Sequence, residues 1–124
     1  MKKINFSKSR LAVTFILLFS LFSLTNSCKK SSDNPSANEV YIENMAFTPG
    51  TITISLNSTV IWMNKDGMAH TVTSITGLFD SGSMADGETF SHTFTTAGTY
   101  SYKCSFHSSM VGTVIVNPAT AGGY

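Results

Sequence analysis

From Glu39 onward the sequence predicts an all-β fold, a two-sheet β-sandwich of about seven or eight short strands. Three observations predict it. Apolar and polar residues alternate in short runs, and those runs are rich in β-branched and aromatic side chains. Turn residues recur about every eight to twelve positions. No stretch beyond residue 28 carries a helical period over three turns.

The elements follow in order. Val40-Tyr41-Ile42 opens the first strand, and Phe47 precedes a turn at Thr48-Pro49-Gly50. Thr51-Ile52-Thr53-Ile54-Ser55-Leu56 alternates strictly, with Ile52, Ile54 and Leu56 on one face. After a turn at Asn57-Ser58, residues 59–64 form a strand with Val60 and Trp62 inward. Lys65-Asp66-Gly67 breaks it, and a further strand is predicted to begin at His70 and run to Ile75. Residues 76–87, with Gly77, Gly82 and Gly87, read as a longer loop. Residues 88–95 alternate again, Ala97-Gly98 turns, and residues 99–104 form a strand ending on Cys104. Gly112 to Val116 is the last strand, leaving a loose tail at 119–124. About 80 residues so arranged bury a modest but adequate core.

The first 27 residues read differently, as an export signal. Lys2, Lys3, Lys8 and Arg10 stand without an acid, before an uncharged apolar run from Leu11 to Leu24. That run is short of the roughly 20 residues a spanning helix needs. Thr25-Asn26-Ser27 before Cys28 resembles a bacterial lipoprotein cleavage site, in which the cysteine becomes the lipidated first residue. Residues 28–38, with Lys29-Lys30-Ser31-Ser32 and Pro35, then read as a flexible lipid-anchored tether to a domain at 39–118. A soluble product cleaved nearby is the alternative. Either reading places the domain in a bacterial cell envelope, exported to the periplasm.

Beyond residue 27 four lysines face seven acidic residues, a net charge of about −3, so nucleic acid has no electrostatic footing. The sequence holds two cysteines. An acylated Cys28, or one at the start of a loose tail, leaves Cys104 without a disulfide partner. A lone thiol in an oxidising compartment is a liability unless a metal holds it as thiolate.

Cys104, His107 and Met110 stand in C-x2-H-x2-M spacing, and His70 lies upstream. A loop leaving a strand can present three such side chains to one ion, whereas an extended strand would point alternate residues apart. Two imidazoles, a thiolate and a weak thioether fit a blue-copper electron-transfer site. Structural zinc favours more thiolates, and calcium and magnesium favour oxygen ligands. The spacing and its joint occurrence outweigh the plainer readings of Cys104 as a core residue, His107 as a surface histidine and Met110 as packing.

The runs Thr59 to His70 and Ala97 to Met110 resemble the middle and the end of cupredoxins, with a compact ligand loop most like that of amicyanin. The resemblance covers about Val40 to Val116, the whole predicted domain, and implies a Greek-key sandwich of plastocyanin/azurin type. It implies one copper ion per chain, with His70, Cys104 and His107 as the strong trigonal set and Met110 axial. It also implies a non-enzymatic one-electron carrier, since four ligands leave no open position for a substrate. The partner would be a redox protein, such as a c-type cytochrome or a copper or haem enzyme, docking near His107 on a monomer. The alternative is a periplasmic protein that delivers or buffers copper. Where amicyanin and plastocyanin have Asn after the first ligand histidine, this chain has Thr71, whose hydroxyl is expected to reach toward Ser105 instead.

Other chemistry-bearing residues read as structural. His92 shares a strand face with Phe90 and Phe94. Met45, Met63 and Met84 have no ligand spacing and are expected to pack, while Met68 is expected on an apolar rim near His70. Asp66, Asp80, Asp86 and Glu88 are expected as solvated turn residues.

Overall fold

A computed structural model describes residues 34–120. The segment expected as an export signal, Cys28 and the end of the expected tail lie outside the described residues. Among the described residues no helix is long and apolar enough to cross a membrane.

Two four-stranded sheets face one another. The first contains β1 (Glu39–Glu43), β2 (Ala46–Thr48), β4 (Thr59–Asn64) and β6 (Thr89–Thr93), in the order β2-β1-β4-β6. The second contains β3 (Thr51–Ser55), β5 (Thr73–Ser74), β7 (Gly98–Lys103) and β8 (Val111–Asn117), in the order β3-β8-β7-β5. Each sheet carries one parallel pair, Val40 against Trp62 in β1–β4 and Ile52 against Val114 in β3–β8. The remaining pairs are antiparallel.

Alternation decides which side chains meet between the sheets. Ile52 and Ile54 of β3 are buried between exposed threonines and serine, and Val60 and Trp62 of β4 are fully buried. β1 departs from alternation, because Val40, Tyr41 and Ile42 are all buried. Tyr41 points to the outer face, where Lys65 covers its ring with the ammonium 3.4 Å from the centroid.

Aromatic rings join the layers. Trp62 meets Tyr102 edge-on at 5.4 Å, and Phe47 meets Tyr102 at 4.7 Å. Tyr102 pairs with Gly112 across β7–β8, and a Cβ on Gly112 would lie 2.3 Å from the ring. Gly112 is therefore the space into which the phenol packs. Phe79 enters from the 76–87 loop and stacks near Trp62, Phe94 and His92.

The strand expected from His70 to Ile75 is much shorter. Only Thr73 and Ser74 pair with β7. The chain before them is drawn toward the 76–87 loop instead: His70 and Met84 exchange both backbone hydrogen bonds, and Ser81 does the same for Val72 through its N–H and its hydroxyl. These loop contacts satisfy backbone groups that a longer ladder would otherwise pair.

Candidate metal centre

Strand parity brings Cys104 and Met110 to the same end of the core. Tyr102 and Cys104 lie two apart on β7 and just beyond it, and Met110, Gly112 and Val114 continue one face of β8. The turn between them is closed by Cys104 N–H donating to the Met110 carbonyl at 3.0 Å. Met110 N–H donates to the His107 carbonyl at 3.0 Å, which curls the loop and turns His107 inward. Cys104 is 1% exposed, Met110 2% and His70 fully buried, while His107 is half-buried.

His70 arrives from the β4–β5 loop, and Asn64 shapes that loop. Its side-chain amide donates to the carbonyls of Met68 (2.8 Å) and Met84 (2.9 Å), and its carbonyl accepts from Asp66 N–H at 2.9 Å. A buried amide with its donors and acceptor satisfied holds the loop in one conformation.

The three donors converge. Cys104 Sγ lies 3.8 Å from His70 Nδ1 and 3.5 Å from His107 Nδ1, and the donor atoms all lie within 4.8 Å of one another. First-row metal bonds of about 2.3 Å to sulfur and 2.0 Å to imidazole, set 120° apart, require a sulfur–nitrogen edge of about 3.7 Å. The two observed edges bracket that value, so the cluster fits one ion. Cys104 is a free thiol, and the only group donating a hydrogen bond to its sulfur from the backbone is Thr71 N–H, at 3.4 Å among the described residues.

Soft sulfur beside two imidazoles selects copper. Residues 35–117 match the family described as copper binding proteins, plastocyanin/azurin family. The chain belongs to that family. This cupredoxin is 33% identical over 82 residues to amicyanin from Paracoccus denitrificans, covering 62% of this chain and 63% of amicyanin. It is 34% identical over 85 residues to plastocyanin from Scenedesmus fuscus, covering 58% of this chain and 87% of the plastocyanin. A reduced Cu(I) form of an amicyanin mutant at pH 4 superimposes with a TM-score of 0.62 at 32% identity, over 66% of this chain and 83% of that one. The chain therefore spans less than two thirds of the amicyanin sequence that it matches. His70, Cys104, His107 and Met110 of the cupredoxin are placed to hold one copper ion.

Around the donors, Thr71 ties the two ligand-bearing loops together. Its hydroxyl accepts from Ser105 N–H at 2.7 Å, so the link uses the backbone of Ser105. The Ser105 hydroxyl reaches Thr73 instead, at 3.0 Å. Asp80 can only accept, so Thr73 donates to it at 3.1 Å and accepts from Thr71 and Ser105. Met68, Phe106 and Val111 are 54%, 54% and 60% exposed, supplying the apolar rim expected of Met68.

Two expectations need correction here. Met45 does not pack into the core: it is 41% exposed, on a tight turn with φ of 60°. Asp66 is not a solvated turn residue. Its Oδ2 lies 2.9 Å from His70 Nε2, and its two oxygens accept from the N–H groups of Asn44 (2.8 Å) and Met45 (3.0 Å). Burial works to raise its pKa, but the amides of Met45 and Asn44, and then His70, outweigh burial and hold the carboxyl below its ordinary value. Sequence reasoning overlooked this residue. The D-x3-H spacing of Asp66 and His70 was the available signal. His92, by contrast, lies on the Phe90 and Phe94 face of β6 as expected.

Proposed function

We propose that this protein is a one-electron carrier in which His70, Cys104, His107 and Met110 would hold a single type 1 copper ion. The carrying observation is the buried Cys104 sulfur held 3.5 and 3.8 Å from two imidazole nitrogens. When bound, copper supplies the one-electron Cu(II)/Cu(I) couple. The protein's part is to keep the donors in one arrangement for both oxidation states. His70, Cys104 and Met110 are locked by burial and by loop hydrogen bonds, so little rearrangement accompanies a change of charge.

His107 is the half-buried member of the set and gives the electron its way to the surface. The rim of Met68, Phe106 and Val111 around that end suits brief docking of a redox protein, such as a c-type cytochrome or a copper or haem enzyme. Four ligands leave no position for a substrate, which supports a carrier over an oxidase. The basic and apolar start of the sequence supports export to a bacterial cell envelope, with Cys28 as lipid anchor.

Addition of Cu(II) to the purified protein should produce an intense visible thiolate-to-copper band and a reversible one-electron couple. Cys104→Ser should abolish the band. An unchanged band in that variant removes the assignment. Copper lost rapidly to a mild chelator, without a reversible couple, would instead identify a delivery or buffering protein.

A further inference from the structure

We infer that Asp66 is a positioning residue for the copper ligand His70 and that its negative charge biases the site toward Cu(II). This inference rests on the copper reading above. The ring of His70 uses its two nitrogens for different purposes. Nδ1 faces Cys104 and His107, whereas Nε2 faces the Asp66 carboxylate at 2.9 Å. A carboxylate accepts only, so Nε2 carries the proton and the Nδ1 lone pair is left for a metal. The same bond fixes the ring plane and the tautomer of the ligand ring.

The carboxylate is itself held from a distant part of the chain. Asn44 and Met45 form the two-residue turn between β1 and β2, where Glu43 pairs with Ala46. Both have positive φ, 52° and 60°, as the primed hairpin turns require. The second position of such a turn normally carries glycine, so a methionine there is strained. The turn aims both of its amides at Asp66, 2.8 Å to Oδ1 and 3.0 Å to Oδ2. Asn64 Oδ1 accepts from the Asp66 N–H and sets the backbone. The anion thus sits in a concavity of fixed N–H dipoles, and its third hydrogen bond goes to the ligand ring.

The electrostatic consequence follows from the charges. Reduction adds one electron, taken from the electrode or a donor protein, and no bond to Asp66 forms or breaks. The oxidised site carries one more positive charge, so a neighbouring carboxylate stabilises it more than the reduced site. Asp66→Asn keeps a side-chain carbonyl to accept from Nε2–H and removes the charge. Asp66→Glu keeps the charge.

The test uses the purified full chain loaded with copper. Wild type, Asp66→Asn and Asp66→Glu are compared by visible spectrum and by cyclic voltammetry. Asp66→Asn should keep the thiolate band and shift the electron-exchange equilibrium about tenfold toward Cu(I), which for one electron is a rise of about 59 mV in potential. Asp66→Glu should stay near the wild-type potential. An unmoved potential in Asp66→Asn, or an equal rise in both variants, overturns the role of the charge. A wild type without the band would remove the copper reading itself, so the two failures are distinguishable. The diamagnetic Cu(I) wild type offers a readout that needs no variant to fold: His70 should show a slowly exchanging Nε2 proton by NMR, and its absence overturns the positioning role.

Discussion

His92 lies between Phe79 and Phe94, each ring 4.8 Å from its own, on the inward face of β6. Burial lowers its pKa from 6.5, because the apolar neighbours disfavour the imidazolium. The unfolded chain therefore binds the proton more readily than the folded one. The stability that the neutral ring contributes is complete above pH 6.5 and is lost as pH falls through the lowered folded value. Urea unfolding of the copper-free protein should show stability falling with acid in this window, with a shallower fall in His92→Gln. The histidines of the metal site are common to both proteins, so the difference in slope reports His92 alone. A ring placed by strand parity was legible from Phe90 and Phe94, but its contact with Phe79 was not, since that residue arrives from a loop without periodicity. The setting of Asp66 was legible only in part, for a related reason. Its turn amides lie 21 and 22 residues away, and nothing in a D-x3-H spacing announces that a hairpin will fold over it.

At the scale of elements, β7 and β8 form the scaffold for the site. Their ladder runs from Gly98–Val116 to Lys103–Val111, and the ligand loop begins at the next residue on each side. Tyr102, immediately before that loop, occupies the space that Gly112 leaves free. Gly112→Ala should therefore cost about 2 kcal/mol, the range for forcing a methyl group into a packed core. Equilibrium urea denaturation measures it, and the copper band should broaden as the β7–β8 turn shifts. An alanine tolerated within about 0.5 kcal/mol would mean that the ring moves aside easily. The alternating pattern placed β3, β4, β6, β7 and β8 within a residue or two of their observed ends. It failed at β5, where a run of β-branched residues spends its hydrogen bonds on the 76–87 loop rather than on a neighbouring strand. Propensity describes what a segment can adopt, and the partner decides how much of it pairs.

Across the whole molecule, the donor set draws together the β4–β5 loop and the β7–β8 loop. An ion held by the folded arrangement and not by the open chain stabilises the fold by mass action, about 2.7 kcal/mol at a hundredfold excess over Kd. At about 4–8 °C per kcal/mol for a domain of this size, copper should raise the melting temperature by about 10 °C or more. Differential scanning calorimetry with and without Cu(II) measures the rise, and Cys104→Ser should lose most of it. A melting temperature indifferent to copper would mean that these loops do not grip the ion.

The residues by themselves determined the sandwich, because a period of two over successive short runs can be satisfied only by burying one face of each strand. They also determined most of the ligand set. Cys104, His107 and Met110 fall within seven positions, and one loop is enough to bring them together. Only the tertiary structure decided the rest: that His70 turns Nδ1 to the sulfur, that Thr71 bonds the Ser105 backbone, and that Asp66 stands behind the ligand ring. The physical reason is distance along the chain. Periodicity and spacing report neighbours within a few residues, whereas the contacts of His70 with Cys104, of Thr71 with Ser105 and of the Asn44–Met45 turn amides that hold Asp66 join segments more than 20 or 30 residues apart and exist only once the sheets have packed.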